Sequence, residues 1–456
     1  MSGIIQDIVN RKIEAIKGEN NVYDMGKVVR VSNYILEAGG LDEVGYFERV
    51  RIGDKAEGYV SRIGRTGVTV EVVKKHKPVY VGDEVTATGE PFRAAFSEDY
   101  PGHIVDIFGE DKLSGNKFEN LRQIPAIAPN IPIMDRTSVE RPLYTGICGI
   151  DLLYPIGRGQ RQLIIGDKKT GKTQLALDAI VNRKNETAGD GPKPLCIYIA
   201  LGKSKKTVKE IYNALLQKGA MSYTFILTAF QEDCAPALFL TPQAGLSMAV
   251  EFMQKGRDVL VVIDDLTQHA NVYREISLLA GKVPGRDAYP PDIFYTHASM
   301  LELGCQHKSG GSVTVLPIVE TRGGDITDYI ATNIISITDG QIVTSAKAFE
   351  KGQRPAIDFG LSVSRLGGAV QTAEMKALGT AARRELLSYL ETREVFELAN
   401  VDEMSPEMRA KIQGGRELMN RMNQYIFDPV RPEEMKERFG PVVETLTAAV
   451  KREAAG

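Results

Sequence analysis

The sequence predicts a multidomain chain, with a small β-barrel in front, an α/β domain in the centre and an α-helical region behind. Three observations carry this. Short β-branched runs broken by glycine and Asp/Asn crowd residues 26–88. Continuous apolar runs then alternate with helical patterns to about residue 371. A stretch rich in Ala, Glu, Arg, Leu and Met follows. The expected division is an N-terminal helix at 1–22, a six-stranded-type barrel at 23–90, the α/β domain at 91–371 and a helical domain at 372–456.

The elements follow in order. Ile4, Ile5, Ile8, Val9, Ile13 and Ile16 recur at spacings of three and four, which predicts an amphipathic helix. It either packs on its own domain or docks a partner. The runs Val28–Val31, Arg49–Ile52, Glu57–Val60, Gly67–Val73 and Glu84–Thr88 are short strands with turn signals between them, the pattern of a small antiparallel barrel. They show little aromatic interleaving, so a base-stacking surface is not evident. Gln162–Ile165, Leu195–Ala200, Thr224–Thr228, Val259–Ile263 and Ser312–Ile318 read as strands buried on both faces, hence a parallel sheet. Residues from Glu374 to about Tyr425 read as helical, and a last helix runs from about Pro432 to Arg452.

The central domain carries the strongest motif. The apolar strand Leu163-Ile164-Ile165 runs into Gly166-Asp167-Lys168-Lys169-Thr170-Gly171-Lys172-Thr173, and a helical pattern beginning at Gln174 follows. Strand, G-x-x-x-x-G-K-T loop and helix together make a P-loop in its structural context. Backbone N–H groups of such a loop cradle phosphates. Lys172 is expected to reach the outer phosphates, and the Thr173 hydroxyl to ligate Mg²⁺. Val259–Ile263 ends in Asp264-Asp265, which after a P-loop reads as the carboxylate that holds Mg²⁺ through water at Asp264. Lys203 stands at the end of Leu195–Ala200, where hydrolytic relatives of this architecture place a carboxylate to polarise water. A protonated lysine cannot act as that base. The run Lys203-Ser204-Lys205-Lys206 is otherwise a solvated basic face. Arg365, between Gly360 and Gly367, is either a loop arginine bonding carbonyls or a finger for a neighbour's γ-phosphoryl.

Composition narrows the classes. Of 456 residues, 43% are hydrophobic and 25% charged, which is ordinary for two or three globular domains. A net charge of −3 shows no basic bias toward nucleic acid. No apolar run reaches the roughly 18 residues that span a bilayer, and the N-terminus carries no secretory pattern. The expectation is a soluble, cytosolic chain. Cys148, Cys196, Cys234 and Cys305 are scattered, which argues against zinc and disulfides, and Cys196 reads as a buried thiol. His297 reads as structural.

The motifs occur in one order. Thr145-Gly146-Ile147, Ile150-Asp151, Pro155–Arg161, the P-loop, Asp264-Asp265-Leu266, Tyr273-Arg274, Pro284–Pro290, Ile334–Ile342 and Ser362–Arg365 together resemble the rotary ATP synthases, and within them the alpha subunit of the F-type enzyme. The likeness covers about residues 26–382. It implies a RecA-like P-loop domain and a noncatalytic nucleotide site for ATP or ADP with Mg²⁺. That site would be built from Gly166, Asp167, Lys168, Lys169, Thr170, Gly171, Lys172, Thr173, Gln174 and Asp264, with Gln341, Arg354 and Pro355 lining the nucleotide region. Arg365 would act in trans on the catalytic site of a beta-type subunit in an alternating hexamer. The resemblance also implies a gamma-type central stalk, a delta-type peripheral stalk met through the N-terminus, a peripheral place on the cytoplasmic face of the cell membrane, and no nucleic acid. Departures are Lys203 where the family usually has Gln, Lys168-Lys169 where it has Arg-Gln, and a shortened helical domain poorly matched after Val395. The alternatives are a self-sufficient homohexameric motor, such as a secretion ATPase or RNA helicase, and a vacuolar-type B subunit, which usually lacks the P-loop Lys and Thr. A homohexamer would need its own catalytic carboxylate; Glu275 and Asp287 are the candidates to substitute, though nothing in the sequence places either near the γ-phosphate.

Overall fold

A computed structural model of the chain describes residues 24–116, 118–186, 194–396 and 406–453. The helix expected at 1–22 lies outside them.

Six strands close a barrel, joined in the order Met25–Ser32, Ile35–Gly39, Val68–Lys75, Ala56–Ile63, Glu48–Ile52 and Glu84–Pro91, the last pairing back to the first. Alternation sets the inside of this barrel. Val28, Val50, Val60, Val70 and Val85 are buried, whereas Val29 is 60% exposed. The strand Ile35–Gly39 was not among the expected runs. Its sequence, Ile-Leu-Glu-Ala-Gly, has one β-branched residue, and pairing on both sides holds it in place. A tight turn at Asn33, whose φ is 59°, joins it to the first strand.

The central sheet has ten strands. From one edge its main path runs Val363–Ser364, Gly340–Thr344, Leu163–Asp167, Ser312–Thr321, Asp258–Asp264, Leu195–Lys203, Thr224–Phe230 and Ile104–Val105. All are parallel to their neighbours except Val363–Ser364, which runs antiparallel. Strands inside a parallel sheet bury both faces, and Asp258–Asp264 accordingly buries all of Val259–Asp264. Each such aliphatic side chain contributes roughly 1.5–3 kcal/mol on burial. Cys196 is fully buried on this sheet.

Helices Ala373–Phe396, Pro406–Met422 and Pro432–Glu453 form the C-terminal layer. Leu386, Leu418, Met435 and Phe439 are buried in the same core as Ile180 and Ile211 of the α/β domain. Among the described residues no helix is long and apolar enough to cross a membrane.

Candidate nucleotide site

The loop between the strand Leu163–Asp167 and the helix Lys172–Asn182 sits at the C-terminal end of the parallel strands, where α/β sheets take their ligands. Gly166 lies against Thr344 of the neighbouring strand. A Cβ there would come within 2.1 Å of the Thr344 hydroxyl and 2.4 Å of its carbonyl oxygen, so only glycine lets the strand enter the loop. Gly171 adopts φ 94° at the start of the helix. Its helix leaves unpaired N–H groups facing the loop.

The Lys172 ammonium donates to the Asp167 carbonyl at 2.5 Å, which folds the side chain back over its own loop. Burial pushes its pKa below the usual lysine value, against the opposing pull of Glu320, Asp265, Asp264 and Asp167. The Thr173 hydroxyl donates to Asp264 Oδ2 at 2.8 Å. Hydroxyl and carboxylate oxygens side by side are the hard donors that Mg²⁺ takes. Tyr198 also donates to Oδ2 of Asp264, and the Lys203 ammonium lies 2.9 Å from Oδ1. Asp265 turns away and caps the helix Leu266–Leu279 by accepting from the Gln268 N–H at 2.7 Å. Burial and then the charge of Asp264 push its pKa up to about 6.

Other expected residues divide. Thr170 donates to the Asp167 carbonyl at 2.8 Å and meets the Thr344 hydroxyl at 2.7 Å. The Asp167 carboxylate faces away from the loop's hollow and accepts from Thr321 at 2.7 Å and the Gly324 N–H at 2.8 Å. Lys168 is exposed and lies 3.4 Å from Glu320, and Lys169 has φ 62°. Gln174, Arg354 and Pro355 come together with Thr170, Gly171, Phe349, Gln424, Tyr425 and Ile426 around a cavity of about 260 Å³ beside the loop. Its walls are mostly apolar and suit a planar ring. The Arg354 guanidinium stacks 3.5 Å from the Phe349 ring centre and donates to the Phe349 carbonyl at 2.6 Å. Gln341 is not brought to this group. It pairs with Leu163 at the start of the strands, and its amide donates to the Leu361 carbonyl at 3.2 Å.

Sequence reasoning missed Tyr198, Glu320, Phe349, Gln424 and Tyr425. The parallel register could have found two of them, since Glu320 pairs with Gly166 and Tyr198 lies two residues before Ala200, the partner of Asp264. The other three come from distant parts of the chain, Phe349 on the short helix Ala346–Glu350 and Gln424 and Tyr425 just after the helix Pro406–Met422. The two carboxylates weighed as replacements sit elsewhere. Glu275 accepts from Tyr34 of the barrel at 2.7 Å, and Asp287 lies in a short 3₁₀ turn with φ 52°. The expected structural histidine is one of a buried pair, with His269 Nδ1 3.1 Å from His297 Nε2.

Arg365 stands at the far end of the sheet. Its N–H donates to the Asp339 carbonyl at 2.9 Å, and its Nη2 donates to the Ile335 carbonyl at 3.1 Å. Asp339 precedes Thr344, the neighbour of Gly166, by five residues, roughly 16 Å at the rise of a strand.

Residues 146–364 match the ATP synthase alpha/beta family, nucleotide-binding domain. The central domain belongs to that family. The match begins at Gly146, ahead of the P-loop, and ends at Ser364, one residue before Arg365. With a closed six-stranded barrel in front and helices behind, the chain has the make-up of an F-type alpha/beta-like subunit. This family domain supports a place in an ATP synthase/ATPase complex and the binding of ATP or ADP.

Proposed function

We propose that this chain is the noncatalytic, alpha-type subunit of a rotary ATPase, holding a nucleotide in its own P-loop and lending Arg365 to a partner's site. The observation that carries this reading is the ammonium of Lys203 at 2.9 Å from Asp264, at the strand end where a hydrolytic site keeps a carboxylate. An ammonium cannot take a proton from water.

In this reading Lys172 and the loop N–H groups bind the phosphates, and the slot between Phe349, Pro355 and Tyr425 takes the base. Thr173 and Asp264 are the residues that would hold Mg²⁺, which neutralises phosphate charge when bound. Arg365 lies roughly 16 Å along the sheet from Gly166, so a γ-phosphoryl within its reach belongs to another subunit. The reading carries with it an alternating ring with a beta-type partner, a central gamma-type stalk and peripheral attachment to the membrane through the complex. A delta-type contact at the N-terminus is part of the same proposal.

A second reading, a homo-oligomeric motor, is favoured by one observation. Glu320 pairs with Gly166 on the adjacent strand, directly beside the loop.

Nucleotide content and turnover of the purified full chain separate the two. Bound nucleotide that persists without turnover is expected. Lys172→Ala should weaken binding roughly 30- to 1000-fold, the usual cost of truncating a desolvated charge partner. Sustained hydrolysis by the chain alone, lost in Glu320→Gln, would replace the first reading by the second.

A further inference from the structure

Asp264 is the most heavily engaged carboxylate of the site, and one of its partners is a cation. Oδ2 accepts from Thr173 at 2.8 Å and from the Tyr198 phenol, while Oδ1 faces the Lys203 ammonium at 2.9 Å. The carboxylate side chain is 3% exposed and that of Lys203 19%, so water screens this pair little.

The backbone keeps Lys203 there. Ala200 lies directly beside Asp264 on the adjacent strand. Beyond it, the pairing with Thr224–Phe230 slips between Leu201 and Lys203, at Gly202 with φ 60°. Such a bulge re-aims the side chain that follows it. Ser204 then ends the strand by capping the next helix, accepting from the Thr207 N–H at 3.2 Å. Lys205 and Lys206 leave for the surface, pairing with Glu232 at 2.5 Å and Glu210 at 4.0 Å. Lys203 alone of the basic run points into the site.

A divalent ion and this ammonium need the same carboxylate. Asp264 neutralised by Lys203 is a poorer anchor for the water shell of Mg²⁺, which must be held in near-octahedral order. That ammonium shares the Asp264 carboxylate with the Thr173 hydroxyl, which puts it on the side of the loop where phosphate charge would gather. We propose that Lys203 is a tethered cation that supplies, at this site, positive charge ordinarily brought by the divalent ion. Nucleotide binding then depends only weakly on Mg²⁺. The proposal rests on the nucleotide reading of the P-loop and goes beyond it, because it sets which form of the nucleotide the site retains.

The test is ADP affinity of the full chain by calorimetry, in excess Mg²⁺ and in excess EDTA. Wild type should change by less than about threefold between the two conditions, while Lys203→Gln should weaken about tenfold or more in EDTA and recover in Mg²⁺, as loss of one nearby charge requires. Lys203→Arg keeps the charge and should behave as wild type, which separates charge from misfolding. Mn²⁺ should bind the ADP-loaded Lys203→Gln protein more tightly than wild type by electron paramagnetic resonance. Equal Mg²⁺ dependence in wild type and Lys203→Gln would overturn the proposal while leaving the nucleotide reading intact. Failure of every form to bind ADP in either condition would overturn both.

Discussion

The two ends of the central sheet are built differently. At the C-terminal end of the parallel strands, Lys172, Thr173, Asp264, Tyr198 and Lys203 bond to their own chain, and Asp264 is buried. At the opposite end Arg365 makes one guanidinium hydrogen bond among the described residues, to a single carbonyl. A guanidinium has five N–H donors in a fixed fork, so most of its binding capacity is unspent. The first end is complete within one chain. The second makes sense as a catalytic group only when something is brought to it.

The sharpest way to break that contrast is Arg365→Ala. In the assembled complex it should lower turnover by roughly 10³-fold or more, the usual worth of a finger acting on phosphoryl transfer. Nucleotide affinity of this chain's own site should stay within about twofold, since the two lie roughly 16 Å apart. Parallel loss of both would make Arg365 a structural residue that only bonds Ile335.

A pH titration sharpens the other end. Asp178, on the P-loop helix, accepts from Gln174 at 2.8 Å and from the Phe427 N–H at 2.8 Å, and burial pushes its pKa up to about 6 from 3.8. The folded value lies above the unfolded one, so the native state holds the extra proton within that window. Stability therefore falls as pH rises from about 4 to about 6, by up to about 3 kcal/mol. Asp178→Asn keeps the accepting oxygen and should lessen that slope in urea unfolding, leaving the part due to Asp265 and Asp151. An unchanged slope would assign it to another group, such as Asp265 or Asp151, whose pKa burial raises to about 7.

Gly166→Ala should cost about 1–3 kcal/mol, as overpacking does, because its Cβ would meet Thr344 at 2.1 Å. A variant of unchanged melting temperature would show that the strand has room to move. The smallest effect belongs to Lys168→Ala. Its pair with Glu320 is 3.4 Å long with Lys168 80% exposed, so stability should shift by less than about 0.5 kcal/mol. A larger shift would mean that Lys168 is part of the buried network and not its rim.

What could be read in the chain was local. A small antiparallel barrel was legible in five short β-branched runs separated by turn residues, yet the sixth strand, Ile35–Gly39, escaped because it has a single β-branched residue. Gly166, Gly171, Lys172 and Thr173 were legible because a phosphate loop needs those residue types within eight consecutive positions. Asp264 was legible as the end of an apolar strand.

The sequence by itself therefore determined the fold class, the loop and the carboxylate that face each other, since each depends on neighbours a few residues away. Tertiary structure alone decided the rest. It put Tyr425 and Phe349 beside Gly171 from distant parts of the chain. It sent the Asp167 carboxylate to Thr321, held Gln341 away from the loop, and turned Lys203 out of a surface run onto Asp264. A side chain's partner is set by which strands lie next to each other and by one bulge, and neither is a property of the residues immediately around it in the chain.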